Sequence, residues 1–484
     1  MRTKHKNSRW RFSTVNQQFF SMLVAFFLII NNVLAQNSLP DLGDVANTAL
    51  PIHEERKIGE DLMQSIKRDA SFLNDIDVEF YLANLGARLK AGTKAPDTPL
   101  YFFALVNPAI NAFALPGGFV GVYSGLFVAS QSESELAGVL AHEIAHVTQR
   151  HIARRVYQNK QMLLASLLGL GAAALAIPTG GASAGAAAIA LSQGALTHNA
   201  LAFSRDLEAE ADRLGFETLN RSSLDPRAMA GFFTRLLASK NEKNALVYLQ
   251  THPLTSDRLS DMQNRDSKLP YRQILSSEDF YLIRAKLAVL QTERFSALEN
   301  FKAYVENHRY PNRAAAFYGL AMAYFQNGDF QKAENAINAA LKIAQHRLIL
   351  HLKTQILLAL KKTDEALQLA RALHQQYPNN NAVDQHFAQT LIAAQKFQEA
   401  FDFLSDFNKK TPSVRGFQWM AQAALQLKKT AHYHAALGES ALLEGLFPAA
   451  AEQFDKAEKA AGKDFYLASQ IHARAQLAKR AMAQ

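Results

Sequence analysis

The chain has 484 residues, of which 49% are hydrophobic and 20% are charged. This composition is typical of two or three folded domains and argues against a disordered chain or a polytopic membrane protein. The absence of cysteine excludes disulfides, a thiol nucleophile and any metal site with Cys ligands. The net charge is +9, but five of these positive charges lie within the first 11 residues, so nucleic-acid binding is not predicted.

The first 35 residues have the organisation of an export signal. A basic stretch ends at Arg11, an apolar run follows over residues 19–30, and the segment closes on the small residue Ala35. The run is short for a membrane span of about 20 residues, so cleavage after Ala35 is favoured. Residues 1–35 are therefore predicted to be a cleavable signal peptide. The alternative is an anchored protease in which residues 19–35 stay uncleaved.

Two apolar runs further along predict β-strands. Residues 101–106 and 118–123 are rich in aromatic and β-branched side chains, and Pro116-Gly117-Gly118 is a turn signal. Together they predict a β-hairpin.

A metal-binding motif follows on a predicted helix. Ser132 and Glu135 have the spacing of a capping box, and apolar residues recur after them at helical spacing. This helix carries His142-Glu143-Ile144-Ala145-His146, whose two histidines share one helix face and can converge on one Zn²⁺ ion. Glu143 lies beside them, where it can take a proton from a water at the metal. The alternative is a surface helix with solvated side chains.

A catalytic zinc ion needs a third protein ligand, and residues 204–215 offer acidic candidates. Glu208 and Asp212 are four residues apart and share a face of a second predicted helix. Glu208 is the predicted ligand, and Asp212 is predicted to accept a hydrogen bond from the far nitrogen of His142. Glu210 is a competing ligand, but it has no acidic partner four residues later. A solvated acidic face is the other alternative.

The segment between the two motif helices is uncharged over residues 161–203. Two apolar arms around a Pro/Gly break predict a helical hairpin, and each arm is too short to span a bilayer comfortably. Burial with partial exposure is favoured, and a peripheral membrane contact is the alternative. His151 lies off the ligand face of its helix and is expected to be structural.

From about residue 270 onward the sequence repeats. Similar units recur with alanines spaced 36, 33 and 34 residues apart, close to the tetratricopeptide period. These alanines are Ala297, Ala333, Ala366 and Ala400. A later unit at 446–450 is offset by a longer insertion. Stacked units form a solenoid with a concave face, which predicts protein binding, whereas a plain helical bundle is the alternative.

The motifs together resemble one known family. His142-Glu143-x-x-His146 followed by Glu208-x-x-Ala211-Asp212 is similar to the zinc metallopeptidase family that includes the CAAX prenyl protease and HtpX-like proteases. Residues 111–125 and Thr251-His252-Pro253 also resemble that family and occur in the expected order. With the export signal and the repeat tail, the chain resembles periplasmic members that act in outer-membrane β-barrel assembly.

The predicted fold class is α+β and mostly helical. Residues 36–269 are predicted to form a zinc metallopeptidase domain with a small β-hairpin, into which 161–203 is inserted. Residues 270–484 are predicted to form an α-helical tetratricopeptide-type solenoid. The resemblance implies one Zn²⁺ per chain, with His142, His146 and Glu208 as ligands and Glu143 as the catalytic residue.

The resemblance also implies roles for two other segments. The hairpin edge is expected to pair with an extended substrate through Gly118, Phe119, Val120 and Gly121, and a purely structural hairpin is the alternative. His252 is implied to be a regulatory residue that occupies the open zinc position as a fourth ligand. An oxyanion-stabilising role and an ordinary loop residue are the other interpretations of His252.

The implied function is that of a periplasmic zinc endopeptidase in quality control. Its implied substrates are misassembled or stalled outer-membrane β-barrel proteins, whose assembly it also assists. The repeats are expected to dock the barrel-assembly machinery or unfolded clients. The alternative is a chaperone or assembly scaffold that acts mainly by binding.

Overall fold

The computed structural model describes residues 46–47, 50–158, 203–239, 243–267 and 273–482. The predicted signal peptide over 1–35 lies outside the described residues, as does the apolar segment 161–203 except for Phe203. Within the described ranges, no helix is both long enough and apolar enough to cross a membrane.

The N-terminal half of the described chain mixes helices with one small sheet. Before the apolar segment come α1 Ile52–Ile66, α2 Ile76–Gly92, β1 Tyr101–Leu105, β2 Ala112–Leu115, β3 Phe119–Tyr123, α3 Ser124–Ala129, α4 Glu133–Thr148 and α5 His151–Gln158. After it come α6 Arg205–Arg221, α7 Arg227–Ala238, α8 Lys243–Thr251 and α9 Ser256–Asp266. The predicted α+β, mostly helical class is confirmed.

The sheet differs from the predicted hairpin. Its strand order is β1-β3-β2, in which β3 runs parallel to β1 and antiparallel to β2. The hairpin partner of β3 is therefore the four-residue strand β2, not residues 101–106. Because β3 is paired on both sides, the prediction that Gly118–Gly121 form an edge strand is wrong. Among the described strands, the open edge beside the motif helix belongs to β2.

Helix α4 is the central helix of this half. The Ser132 hydroxyl accepts a hydrogen bond from the backbone N–H of Glu135, as the capping box predicts. The Glu135 carboxylate accepts one from the backbone N–H of Gln131, at 2.6 Å, and not from that of residue 132. All residues from Glu133 to Val147 are buried, which excludes a solvated surface helix.

The close approach of α6 to α4 depends on one glycine. A Cβ atom at Gly215 would lie 3.1 Å from the backbone nitrogen of His142. A side chain at this position would push the two helices apart. The glycine therefore lets the acidic face of α6 reach the histidines of α4.

The C-terminal half is a solenoid of helices that pack on their neighbours in sequence. They are α10 Glu278–Leu290, α11 Arg294–Glu306, α12 Arg313–Gln326, α13 Phe330–Leu341, α14 Arg347–Ala359, α15 Thr363–Gln376, α16 Asn381–Ala393, α17 Phe397–Lys410, α18 Val414–Gln426, α19 Thr430–Leu443, α20 Phe447–Ala461 and α21 Phe465–Met482. The four aligned alanines of the predicted repeats are all buried, so the solenoid is confirmed over a plain bundle.

The turns between helices also repeat. Left-handed residues end α12, α14, α16, α18 and α19, namely Gly328, Lys361, Gln395, Lys428 and Gly445. The longer insertion predicted before residues 446–450 is wrong. The stretch between Pro412 and Leu446 forms the helix pair α18 and α19, and α20 follows directly.

The two halves share one hydrophobic core, which runs from Val78 on α2 to Ile356 on α14. The predicted boundary at residues 269–270 falls among residues that the structure does not describe, so the exact division stays a prediction. The continuous core nevertheless means that the solenoid is packed against the N-terminal half.

A buried carboxylate joins the halves within this core. Asp77 on α2 lies 3.0 Å from the amine of Lys286 on α10, 3.2 Å from His351 on α14 and 3.0 Å from His386 on α16. Burial raises the pKa of Asp77, but Lys286 and His386 outweigh it and hold the pKa well below its usual range. Asp77 is therefore a charged node that three solenoid helices share.

Removing this charge should destabilise the protein strongly. Asp77→Asn keeps the shape of the side chain but leaves the buried cation of Lys286 with less compensation. We expect a loss of about 3–5 kcal/mol in the free energy of unfolding, measured with urea on the chain without residues 1–35. The control is Asp455→Asn, which breaks an exposed ion pair with Lys479 and should cost about 0–1 kcal/mol. Equal losses of unfolding free energy in the two variants would contradict the role of Asp77 as a charge that the helices share.

Candidate metal centre

Four buried side chains place donor atoms within 4.8 Å of one another. They are His142 and His146 on α4, Glu208 on α6, and His252 in the loop between α8 and α9. The sequence motifs named all four. The structure brings them together from three separate segments.

The histidines of α4 face each other across one turn. Their Nε2 atoms are 3.0 Å apart, because residues four apart lie on the same helix face. The two carboxylate oxygens of Glu208 lie 3.4 Å from His142 Nε2 and 3.5 Å from His146 Nε2. Ser204 caps the N-terminus of α6 and so fixes where this helix begins, one turn before Glu208.

His252 completes the cluster from the opposite side. Its Nδ1 atom lies 3.4 Å from His142 Nε2 and 3.0 Å from Glu208 Oε1. Its backbone N–H donates to the carbonyl of Tyr248, and its ring stacks on the Tyr248 ring at 4.7 Å. The imidazole is thus held inside the site and does not extend into solvent.

Asp212 lies where the motif predicts. One of its oxygens is 3.0 Å from His142 Nδ1, the nitrogen that faces away from the cluster. Arg258 on α9 donates two hydrogen bonds to the Asp212 carboxylate, at 2.6 and 2.8 Å. Arg258 also lies 2.7 Å from Glu208 and donates to the carbonyl of Pro253.

Sequence reasoning missed Arg258. Its only local signal is its place at the start of α9, where its backbone N–H bonds to the Thr255 hydroxyl. Nothing in that pattern distinguishes a buried arginine from a surface one. The structure makes it the link between two acids of α6 and the loop that carries His252.

The charges of the cluster favour a cation. Burial lowers the pKa of His142, but Asp212 and Glu208 outweigh it and raise the pKa to about 10. Burial raises the pKa of Glu208, but His252 and His142 hold it well below its usual range. Burial and the charge of His142 lower the pKa of His146. The carboxylates of Asp212 and Glu208 therefore stabilise positive charge at His142, as they would beside a divalent metal ion.

Glu143 lies fully buried beside the donors. Its Oε1 atom is 3.5 Å from His252 Nε2. Within the described part of the chain, neither carboxylate oxygen has a hydrogen-bond partner. Burial raises the pKa of Glu143, and the charges of His252 and His142 and the nearby backbone of Ala114 on β2 work in the opposite direction. An unpaired buried carboxylate of this kind is typical of a reactive group.

Glu210, the competing ligand, lies outside the cluster. Its carboxylate contacts Arg154 at 2.9 Å and His151 at 3.3 Å, on the other side of α6. His151 is not among the converging donors, but its Nδ1 atom lies 2.9 Å from His146 Nδ1, the nitrogen that faces away from them.

A second group of possible donors has a different character. Asp77, His351 and His386 also converge, but the ammonium of Lys286 lies 3.0 Å from Asp77. This group has three donor residues where the His142 cluster has four, and its residues do not have the spacing of a metal-binding motif in the sequence. The cluster around His142 is therefore the metal centre that the side chains support.

Known proteins are similar to this chain over long stretches of its sequence. Residues 79–266 match the model of peptidase family M48. The beta-barrel assembly-enhancing protease of Escherichia coli is 32% identical over 418 residues, covering 84% of both chains. The protein of the same name from Yersinia pestis is 31% identical over 418 residues and 85% of both chains.

More distant similarity covers parts of the chain. The mitochondrial metalloendopeptidase OMA1 of Schizosaccharomyces pombe is 30% identical over 184 residues, which are 38% of this chain and 51% of that protein. A tetratricopeptide repeat protein structure from Parabacteroides merdae covers 50% of this chain and 98% of its own, with 15% identity and a TM-score of 0.29. By its family model and its long relatives, the chain belongs to peptidase family M48, as a metalloprotease related to the beta-barrel assembly-enhancing proteases.

Proposed function

We propose that the chain is a periplasmic zinc endopeptidase that degrades misassembled or stalled outer-membrane β-barrel proteins and assists barrel assembly. The observation that carries the proposal is the convergence of four buried donor atoms within 4.8 Å, beside the unpaired carboxylate of Glu143. The long relatives are named beta-barrel assembly-enhancing proteases, which supports the link to barrel assembly.

His142, His146 and Glu208 would hold the zinc ion, since two imidazoles and one carboxylate are an ordinary ligand set for catalytic zinc. When bound, zinc supplies a Lewis acid that polarises the scissile carbonyl and makes water more acidic. Asp212 fixes the ring of His142, and Arg258 fixes Asp212 through two contacts. These contacts thus hold the ring of His142 in one orientation.

Glu143 is the general base and acid of the proposed reaction. Its carboxylate takes a proton from the attacking water and then passes that proton to the leaving amine. The peptide bond breaks, and the products are a carboxylate and an amine. Burial raises the pKa of the Glu143 carboxyl group, which favours the acceptance of a proton from water.

The open edge of β2 is the proposed substrate platform, in place of residues 118–121. The Tyr123 N–H bonds to the carbonyl of Asn111, which makes that pair hydrogen-bonded. Antiparallel pairs alternate, so the backbone groups of Ala112 and Ala114 point away from β3. Ala114 also faces Glu143. An extended peptide paired with β2 would therefore lie against the catalytic carboxylate.

His252 is the proposed restraint on this activity. In the structure it contacts Glu208 through one ring nitrogen and lies 3.5 Å from Glu143 through the other. The imidazole thus takes the space that a water or a substrate carbonyl would need. The loop at 252–253 must move before hydrolysis can begin.

The solenoid favours a binding role beside the chemistry. Stacked helix pairs give a concave surface that suits protein partners, so we assign it to docking the barrel-assembly machinery or unfolded clients. The alternative function is a chaperone or scaffold in which hydrolysis is secondary. The export signal predicted over residues 1–35 supports the periplasmic location.

The substrate class can be tested with one barrel protein in two states. The zinc-loaded His252→Ala variant should cleave an unfolded outer-membrane β-barrel protein and leave the same protein intact once folded in detergent micelles. Gel densitometry over time measures both rates. A folded barrel has no open strand edges, so it cannot offer an extended segment to β2. Equal cleavage of the two states would contradict the proposal.

A further inference from the structure

His146 has a second histidine against the nitrogen that faces away from the donor cluster. His146 Nδ1 and His151 Nδ1 are 2.9 Å apart, and His151 is fully buried. In a continuous helix, residues five apart point about 140° away from each other, so these rings would not meet. The helix instead breaks at Arg150, whose φ is +51°, and α5 begins at His151. This break turns the ring of His151 back onto His146.

The contacts fix the direction of each hydrogen bond. If His146 binds the metal through Nε2, its Nδ1 carries the proton and donates to His151 Nδ1. His151 then carries its own proton on Nε2, which lies 3.3 Å from a Glu210 oxygen. Arg154 donates to the same oxygen at 2.9 Å. These contacts form a series that runs from His146 through His151 and Glu210 to Arg154. Every group in the series has the hydrogen-bond partner that its protonation state requires.

The series repeats, with one additional ring, the arrangement around His142. There, Asp212 contacts Nδ1 of His142 directly and accepts hydrogen bonds from Arg258. Residues two apart on a helix point about 160° away from each other, so Glu210 faces the opposite side of α6 from Glu208. Glu210 therefore reaches His146 only through His151.

We propose that His151 and Glu210 are positioning residues that hold His146 in the orientation and tautomer needed to bind zinc through Nε2. The proposal rests on the proposed function, in which His146 is a ligand. Neither residue touches the reacting atoms. Partners that hold the far nitrogen of a ligand histidine typically change metal affinity about 10- to 100-fold.

The test is zinc affinity, measured by competition with a chromophoric chelator on the chain without residues 1–35. His151→Ala should bind zinc about 10- to 100-fold more weakly than wild type, and Glu210→Gln about tenfold more weakly. The matched control is Glu217→Gln. Glu217 lies on the same helix with a similar exposure, 30% against 28% for Glu210, and it also pairs with arginine. Its affinity should stay within about twofold of wild type.

A double-variant cycle tests the series itself. His151→Ala combined with Glu210→Gln should bind zinc no more weakly than His151→Ala alone, because Glu210 acts only through the ring. His151→Asn should recover part of the affinity, since its side-chain oxygen can accept a hydrogen bond from His146 Nδ1–H. Thermal unfolding of the metal-free proteins separates these effects from stability, and Glu210→Gln should match Glu217→Gln there.

Two results would overturn the inference. One is wild-type zinc affinity in both His151→Ala and Glu210→Gln, and the other is an equal loss in Glu217→Gln. If His151→Ala does not fold, His151→Asn and the half-exposed Glu210→Gln carry the same test. A wild-type chain that binds no zinc would overturn the proposed function as well, whereas zinc binding that is indifferent to these variants overturns only the positioning role.

Discussion

Glu143→Gln should abolish hydrolysis while zinc stays bound. Glutamine has the same shape as glutamate but cannot take a proton from water, so the rate should fall by about 10²- to 10⁴-fold. Glu143 is not among the four side chains whose donor atoms converge, so the ligand set should be untouched. Initial rates on an unfolded casein-type substrate and metal content of the same samples measure the two effects together.

The matched control is Glu133→Gln. Glu133 lies on the same helix and is also buried, but it contacts Tyr81 and Ser277 and not the donor cluster. It should hydrolyse the substrate at a rate close to that of wild type. Substantial hydrolysis by Glu143→Gln would contradict the assignment of Glu143 as the general base.

The same variant separates enzyme from scaffold. If the effect of the protein in cells depends on proteolysis, cells that carry only Glu143→Gln should lose that effect. Retention of that effect, with hydrolysis abolished, would favour the scaffold function, since the solenoid is unchanged in this variant.

His252→Ala should hydrolyse the same substrate faster than wild type. If the closed position of His252 holds 90–99% of the molecules, removing the ring raises the rate by about 10- to 100-fold. The physical reason is that the imidazole lies between Glu208 and Glu143, at 3.0 Å and 3.5 Å. Initial rates of zinc-loaded proteins test the expectation.

Thr251→Ala is the control for a loosened loop. Among the described residues, the Thr251 hydroxyl bonds to backbone carbonyls of α8 and not to the donor cluster. Its rate should stay near that of wild type. His252→Ala could instead be as inactive as Glu143→Gln while it retains zinc and fold. That result would make His252 a catalytic residue and contradict the proposal that it blocks the site.

Local spacing made much of the site predictable. The pairs His142 and His146, and Glu208 and Asp212, each lie four residues apart, and this spacing alone puts both members on one helix face. The caps at Ser132 and Ser204 marked where the two helices begin. The repeats were equally accessible, because their alanines recur at a fixed period and all become buried.

Features that depend on distant contacts or on a single backbone angle were not predictable. Strand β2 has four residues, too few to give an alternating pattern, so the edge strand was assigned to residues 118–121. Arg258 becomes functional only because α9 folds back onto α6. His151 reaches His146 only because Arg150 adopts a positive φ, and nothing in the spacing of the histidines signals that break.

The most direct test of the account is zinc titration of the metal-free His252→Ala chain, with bound metal and initial rate measured in each sample. The variant is used because its site is open. The account predicts no hydrolysis without metal and a rate that rises linearly and saturates at one zinc per chain. Hydrolysis that persists without metal, or zinc that binds to the His142 cluster without restoring hydrolysis, would contradict it.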